Sequence, residues 1–365
     1  MHVTKIANRQ LFFILFMIRT TIILAILPPV VTVYNAFQDA WASVIVSFFT
    51  ASILVIIIGK LGLHFPEMTV IEYSQKLLGT WPGRVICLVF LWGFLDMASI
   101  DVRIYSEALI AGFLPESPPT FVVASMVIVA AVAAYHGLEA IGRAADLLFP
   151  FYLLMIVLSL TIPLPQVISL SHNLEPVLAR GMLPVLGGSA VITAMIANYL
   201  VLAILAPAVT KPRKALNTAL WSLAFSTLAI VLTAIVTVAI LGPHKASRTL
   251  YPFFGMIRTV LLSKFLERVE IFAVATWGFG LFIELAIIIF CGARGLSQIL
   301  GLKDYRPLIA PMAVIWITLS MHSNKNIFDI KETFRPDIFV PYGIGLIVVP
   351  FGILWGAYLL RRRKL

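Results

Sequence analysis

The apolar positions along the chain fall into long uninterrupted runs, not into short alternating or one-sided patterns. Ten runs are legible, at 10–33, 41–59, 84–112, 119–137, 146–162, 183–207, 217–241, 270–298, 307–321 and 340–360. A helix needs about 20 apolar residues to cross the ~30 Å hydrocarbon core of a bilayer. Inside lipid every backbone group must bond within its own segment, so each run predicts a transmembrane helix. The ninth run is the shortest. A membrane barrel would show ~10-residue segments of alternating polarity, which this chain lacks. The expectation is an all-α integral membrane protein of about ten helices, one transmembrane domain over 1–365. The first run is too long for a signal peptide and ends in Pro28-Pro29.

Two connections have a pattern of their own. In the segment at 60–83, Thr69 and Glu72 are spaced as a capping box, which starts a short helix that Gly79 ends. The connection at 242–269 holds IRTVLLSKFLERV, apolar at helical spacing with basic residues between. It predicts an amphipathic helix on the membrane surface or over a vestibule.

Composition agrees with the pattern: of 365 residues 61% are hydrophobic and 12% charged, against about a quarter charged in soluble domains. The net charge of +10 reads as a topology signal. With ten spans both termini share a side, and that side carries 15 of the loop Lys and Arg residues against 9 opposite. Both termini are therefore expected in the cytoplasm. The Arg361–Lys364 tail is expected at anionic lipid head groups, not at nucleic acid. Cys87 and Cys291 lie inside spans and call for no disulfide. The six histidines have no ligand spacing, so no metal is expected. No P-loop, HExxH or dinucleotide fingerprint appears, so no cofactor and no enzymatic activity are expected. GGSA at 187–190 lacks a histidine in any later span to serve as base.

Ionisable groups inside spans are costly and mark function by default. Six stand out: Arg19, Asp96, Asp101, Arg103, Glu107 and Glu284. At ~100° per residue Asp96, Arg103 and Glu107 form one stripe, with Arg103 and Glu107 at i, i+4. That pair is expected to close on itself. Asp101 points about 140° away from Asp96 and needs a partner on another helix or a wet cavity. Arg19, about ten residues into the first run, is expected to pair with a carboxylate. Four carboxylates against two arginines leave two negative charges in excess.

Helix breakers add a second signal. The first run ends in LPP and the sixth opens with LPVLGGSAV. Interrupted helices at matching positions in two halves point to the binding site of inverted-repeat transporters. Thr20 and Thr21 in the first run, and Asn198 and Tyr199 in the sixth, are the polar residues beside these breaks. Packing alone would also explain them, because Pro and Gly are tolerated in membrane helices. Gly352 and Gly356 form a GxxxG in the last run, spaced for a close helix contact.

Nine stretches together resemble the B subunit of bacterial spore germination receptors, the GerAB family, a branch of the amino acid–polyamine–organocation transporter superfamily. They are RQLFFILF, QDAWASVIV, HFPEMTVIEYSQKLLGTWPGR, MASIDVR, FLPESPP, GLEAIGRAADLLFPFYLL, YPFFGMIR, FLERVEIFAVATWGFG and ARGLSQILGLKDYRP, in family order along nearly the whole chain. The resemblance implies a LeuT-like fold of two inverted five-helix repeats, about 10–162 and 183–360. It implies a subunit that senses a small-molecule nutrient, such as an amino acid or sugar, at the spore inner membrane. It further implies an A subunit and a lipoprotein C subunit as partners, with release of ions and dipicolinate after ligand binding. The ligand would sit between spans one, three, six and eight. Asp101 and Arg103 match the family's acidic–x–Arg pattern in span three. With Thr20, Thr21, Asn198, Tyr199 and Glu284 they make up the candidate ligand-binding set. The chain departs from the family in MIRTTIILAI, which lacks a mid-span glycine, and in ANYLVLAILAP, which lacks the glycine and glutamate before the proline. Unwinding of span one is therefore less expected, and the pocket should differ from that of a small-amino-acid sensor. The alternative reading is a proton- or sodium-coupled secondary transporter of amino acids.

Overall fold

The computed structural model describes residues 5–32, 36–260, 270–323 and 334–362. The second part of the amphipathic segment, 261–269, and the last residues of the basic tail lie outside these. The first half of the chain forms α1 (Asn8–Thr32), α2 (Ala40–Leu63), α3 (Val70–Leu78), α4 (Thr80–Gly112), α5 (Pro119–His136), α6 (Leu138–Thr161) and α7 (Leu164–Ser169). The second half forms α8 (Leu183–Ala194), α9 (Leu202–Leu205), α10 (Ala215–Leu241), α11 (Pro243–Arg248), α12 (Pro252–Val260), α13 (Glu270–Leu300), α14 (Ile309–Ser323) and α15 (Pro336–Arg361). Among the described residues, nine stretches are long and apolar enough to cross a bilayer. The ninth run is α14, only 15 residues long and packed on α4 and α5. The expected short ninth run is thus a short helix.

Burial separates a centre from a shell. In α1 and α13, 83% of the apolar window is buried inside the protein, and in span six (Leu183–Ala208) 78%. In α5 the share is 33% and in the α6 span 22%. The shell helices turn large apolar side chains outward, among them Phe49, Ile53, Phe121, Val129, Leu147 and Phe151. In a bilayer that surface meets lipid tails, so nothing needs to cover it.

Two sharp joints depend on glycine. Gly79 (φ 94°) ends α3 and opens α4, and Gly137 (φ 96°) does the same between α5 and α6. Side chains avoid that backbone region. The capping box is formed as expected: the Thr69 N–H donates to Glu72 Oε2 at 2.7 Å, and the Glu72 N–H donates to Thr69 Oγ1 at 3.4 Å. Thr69 Oγ1 also donates to Gln298 Oε1 at 2.9 Å, which ties α3 to α13. Thr69→Ala should cost about 1 kcal/mol or somewhat more. A thermal midpoint in detergent that did not fall would show that packing alone holds α3.

Several expectations need correction. Span five starts at Leu138, not 146, because the charged groups of its first turns find partners. Arg143 pairs with Glu139, and Asp146 takes Arg9 Nε at 3.1 Å and Gln10 Nε2 at 2.7 Å from α1. The α1 backbone is helical through Pro28-Pro29 to Thr32, with no unwound middle. In span six LPVLGG is helical, because Pro184 falls in the first turn, where no N–H is required. The break comes later, as the 3-10 segment Met195–Val201. Among the described residues Gly352 and Gly356 make no close helix contact: a Cβ at either would meet nothing within 4 Å.

The N-terminal end of α1 is tied down. Ile6 forms an isolated parallel bridge with Val209, through Ile6 N–H to the Ala208 carbonyl at 3.0 Å and Thr210 N–H to the Ile6 carbonyl at 2.9 Å. Asn8 Nδ2 donates to the Lys211 carbonyl at 3.3 Å.

Candidate ligand site at the centre of the bundle

The break in span six turns Asn198 into the middle of the protein. Its Nδ2 donates to Glu284 Oε1 on α13 at 2.7 Å and to Asp101 Oδ2 on α4 at 3.3 Å. Glu284 is fully buried and Asp101 is 6% exposed. One amide thus bridges two carboxyl groups from two other helices. Helical geometry explains the convergence. Asp101 leaves α4 on a different face from Arg103, and the 3-10 turn of span six re-aims a side chain that a continuous α-helix would place elsewhere.

The cluster is incompletely satisfied. Glu284 Oε2 and Asn198 Oδ1 are buried without a hydrogen-bond partner. Across from them, Arg19 on α1 is 3% exposed. Its Nη1 donates to the Ile192 carbonyl at 3.2 Å, and its Nε has no partner. Arg19 therefore does not pair with a carboxylate as expected. Its guanidinium is spent on a backbone carbonyl that lies nearer, just before the break. Arg19, Asp101, Asn198 and Tyr199 line one small cavity of about 20 Å³, closed by Met97 and Phe334 among others. That volume holds about one water. Buried polar atoms left unpaired are costly, so opposite charges facing an enclosed space suit a guest with both a donor and an acceptor.

The other candidate residues divide. Tyr199 is fully buried, donates its hydroxyl to the Leu15 carbonyl at 3.3 Å and lies 3.3 Å from Ser222 Oγ, which fixes span six against α1 and α10. Thr20 Oγ1 donates to the Phe16 carbonyl at 2.8 Å and meets Tyr152 Oη at 2.8 Å. Thr21 Oγ1 donates to the Met17 carbonyl at 2.6 Å and lines a different, larger cavity. Arg103 pairs with Glu107, as the i, i+4 spacing predicts, and its Nη1 reaches Met321 Sδ at 3.7 Å. Thr20, Thr21 and Arg103 thus stand outside the cluster. Asp96 accepts from Tyr342 Oη on α15 at 2.8 Å. Sequence reasoning passed over Arg294, an arginine inside the eighth run whose Nη1 is buried without a partner. An isolated cation within an apolar run was the available signal. It also did not assign Arg19 to a cavity. No motif marks that role.

Comparison with known proteins agrees with this architecture. The family described as spore germination protein matches residues 5–328. The chain is 28% identical over 311 residues to spore germination protein YndE of Bacillus subtilis (strain 168), covering 84% of this chain and 85% of that protein. It is 24% identical over 323 residues to spore germination protein KB of the same organism, covering 88% and 86%. Among solved structures, MhsT in complex with L-phenylalanine superposes with a TM-score of 0.66 at 16% identity, covering 95% of this chain and 90% of MhsT. At that identity the likeness is one of fold, the LeuT-like transporter fold. The ten-helix architecture, the central broken span and the match across nearly the whole length converge, and the chain belongs to the spore germination protein family.

Proposed function

We propose that this chain is the nutrient-sensing membrane subunit of a spore germination receptor, and that it recognises a small zwitterion such as an amino acid at the central cluster. One observation carries this reading: groups of opposite sign, Arg19 and Asp101, line a single small cavity. Arg19, whose Nε lacks a partner, stands among its lining residues with Asp101 and Asn198, and Asn198 Nδ2 ties Glu284 to them at 2.7 Å. Arg19 would take the ligand carboxylate. Asp101, Asn198 and Glu284 would take its ammonium, which also supplies the positive charge that the two carboxyl groups lack. A sugar would leave these charges unmatched. The volume of about 20 Å³ is too small for any nutrient, so binding requires the two repeats, about 10–162 and 183–360, to part. A nutrient shifts that equilibrium only by its differential affinity for the parted arrangement. The change would pass to an A subunit and a lipoprotein C subunit in the spore inner membrane, with both termini of this chain in the cytoplasm.

The test is dipicolinate release from spores lacking the gene, against a panel of amino acids, sugars and potassium, with vegetative nutrient uptake as control. Selective loss of one amino acid response with normal uptake is the expected result. Normal germination would overturn the reading. Arg19→Met should raise the half-maximal nutrient concentration about 10- to 100-fold, the value of one or two charge-assisted hydrogen bonds. Arg19→Lys should recover only part, because an ammonium cannot reproduce the guanidinium fork.

The transporter reading is favoured by one feature: a one-water-sized site beside two carboxyl groups and an amide oxygen also suits a proton or a single monovalent cation. Amino acid uptake into proteoliposomes driven by a pH or sodium gradient would establish it. A pure sensor shows none.

A further inference from the structure

A cavity larger than that of the central cluster lies elsewhere in the protein. It encloses about 290 Å³ between α1, α6, α12 and α13. None of its lining residues is charged. Four aromatic rings bound it, those of Tyr152, Phe253, Phe254 and Trp277. Phe254 and Trp277 lie 5.2 Å apart between centroids, tilted by 35°. Its hydroxyls are engaged: Thr21 and Ser159 donate to carbonyls of their own helices, and Tyr152 meets Thr20. Trp277 is 5% exposed, and its indole Nε1 is a buried donor without a partner. The rim includes Leu158 and Ile162, 38% and 44% exposed on the same helix that turns Phe151 and Leu154 to the bilayer.

These features define a guest. A zwitterion or ion would be desolvated with no counter-charge, which is prohibitive. A polyol would leave most of its hydroxyls unpaired. A saturated acyl chain would leave the Trp277 N–H unmet. An apolar cavity of about half this volume binds benzene, so the space suits an aromatic ring with a short substituent, roughly 9–14 heavy atoms. We propose that the cavity is a second binding site for a small uncharged aromatic compound that carries a hydrogen-bond acceptor, entered from the bilayer past α6. The acceptor sits on Trp277 Nε1 and the ring packs among Phe253, Phe254 and Tyr152. The site shares α1 and α13 with the central cluster, so its occupant bears on the same two helices. It does not depend on the central site binding a nutrient.

Acetophenone has the required ring and a single carbonyl acceptor. The test is equilibrium dialysis of tritiated acetophenone against the full chain in lipid nanodiscs, with empty nanodiscs as the partition control. One saturable site per chain is expected, without competition from zwitterionic amino acids. Ala25→Phe on α1 and Met155→Trp on α6 each fill the cavity from a different helix and should abolish saturable binding. Met155 is only half-buried, so that variant should fold even where Ala25→Phe does not. Trp277→Phe keeps an aromatic ring and removes the donor, and should weaken binding about three- to tenfold. Uptake equal to that of empty nanodiscs, or saturable binding that survives in a folded cavity-filled variant, would overturn the proposal.

Discussion

Spores carrying Asn198→Leu should lose the nutrient response. The Asn198 amide is the donor that mediates between Glu284 and Asp101, at 2.7 and 3.3 Å. Leucine is nearly isosteric and supplies no donor. Two carboxyl groups would then face each other in a low-dielectric interior. Removing one partner of a buried charged cluster costs about 3–5 kcal/mol, more than a hundredfold in an equilibrium constant. The penalty falls on whichever arrangement brings the three helices together, so both ligand affinity and the resting balance of states should change. The measurement is a dose–response of dipicolinate release, with the amount of membrane-inserted protein followed by immunoblot. Adding Asp101→Asn should restore the protein level, because the introduced amide can donate to Glu284 from the opposite side. An unchanged dose–response in the single variant would show that the cluster is packing only.

The second large effect is expected at Gly343 on α15. A Cβ there would lie 2.7 Å from the Ala194 carbonyl oxygen, 2.9 Å from the Ala194 Cβ and 3.1 Å from the Ala194 carbonyl carbon. Two of those atoms are backbone, at the residue where span six leaves its α-helix. No rotamer change relieves the contact, so either α15 backs away or the break moves. Overpacking of this kind costs about 1–3 kcal/mol for a methyl group and more for a branched side chain. Gly343→Val should therefore leave little folded protein, and Gly343→Ala should lower the thermal midpoint clearly. Gly345, two residues on, is the control: a Cβ there meets nothing within 4 Å. Gly345→Ala should be neutral or mildly stabilising, since alanine is the better helix former by about 1 kcal/mol. Equal effects at both positions would place the cost in helix propensity, not in the close approach.

The two sites differ in how far they can be read from sequence. The spans are legible because each is an unbroken apolar run, and the Thr69–Glu72 box because a cap is local. Asp101 and Glu284 are legible one at a time, since a charge inside a span announces itself. Their meeting is not: Asn198 lies 97 positions from Asp101 and 86 from Glu284, and nothing in MIANYLV is a helix breaker. The 3-10 turn there arises from packing, beside the close approach of α15, and packing has no local signature. Visible breakers drew attention to LPP and LPVLGG, where the backbone stays helical. The aromatic cavity was invisible for the opposite reason: its residues are ordinary apolar side chains, and only their failure to fill the space distinguishes them.

The tether at the start of α1 carries a consequence for ionic conditions. Its exposed part, Arg9 with Asp146, has a largely solvated arginine side chain, and such pairs contribute little and are screened by salt. Its buried part is the Ile6–Val209 backbone pairing, which carries no net charge and which electrolyte does not weaken. The N-terminal end of the helix should therefore hold equally in dilute and concentrated salt. For a chain whose family resemblance implies a release of ions, that matters: the resulting flood of electrolyte would not loosen the latch on its first helix.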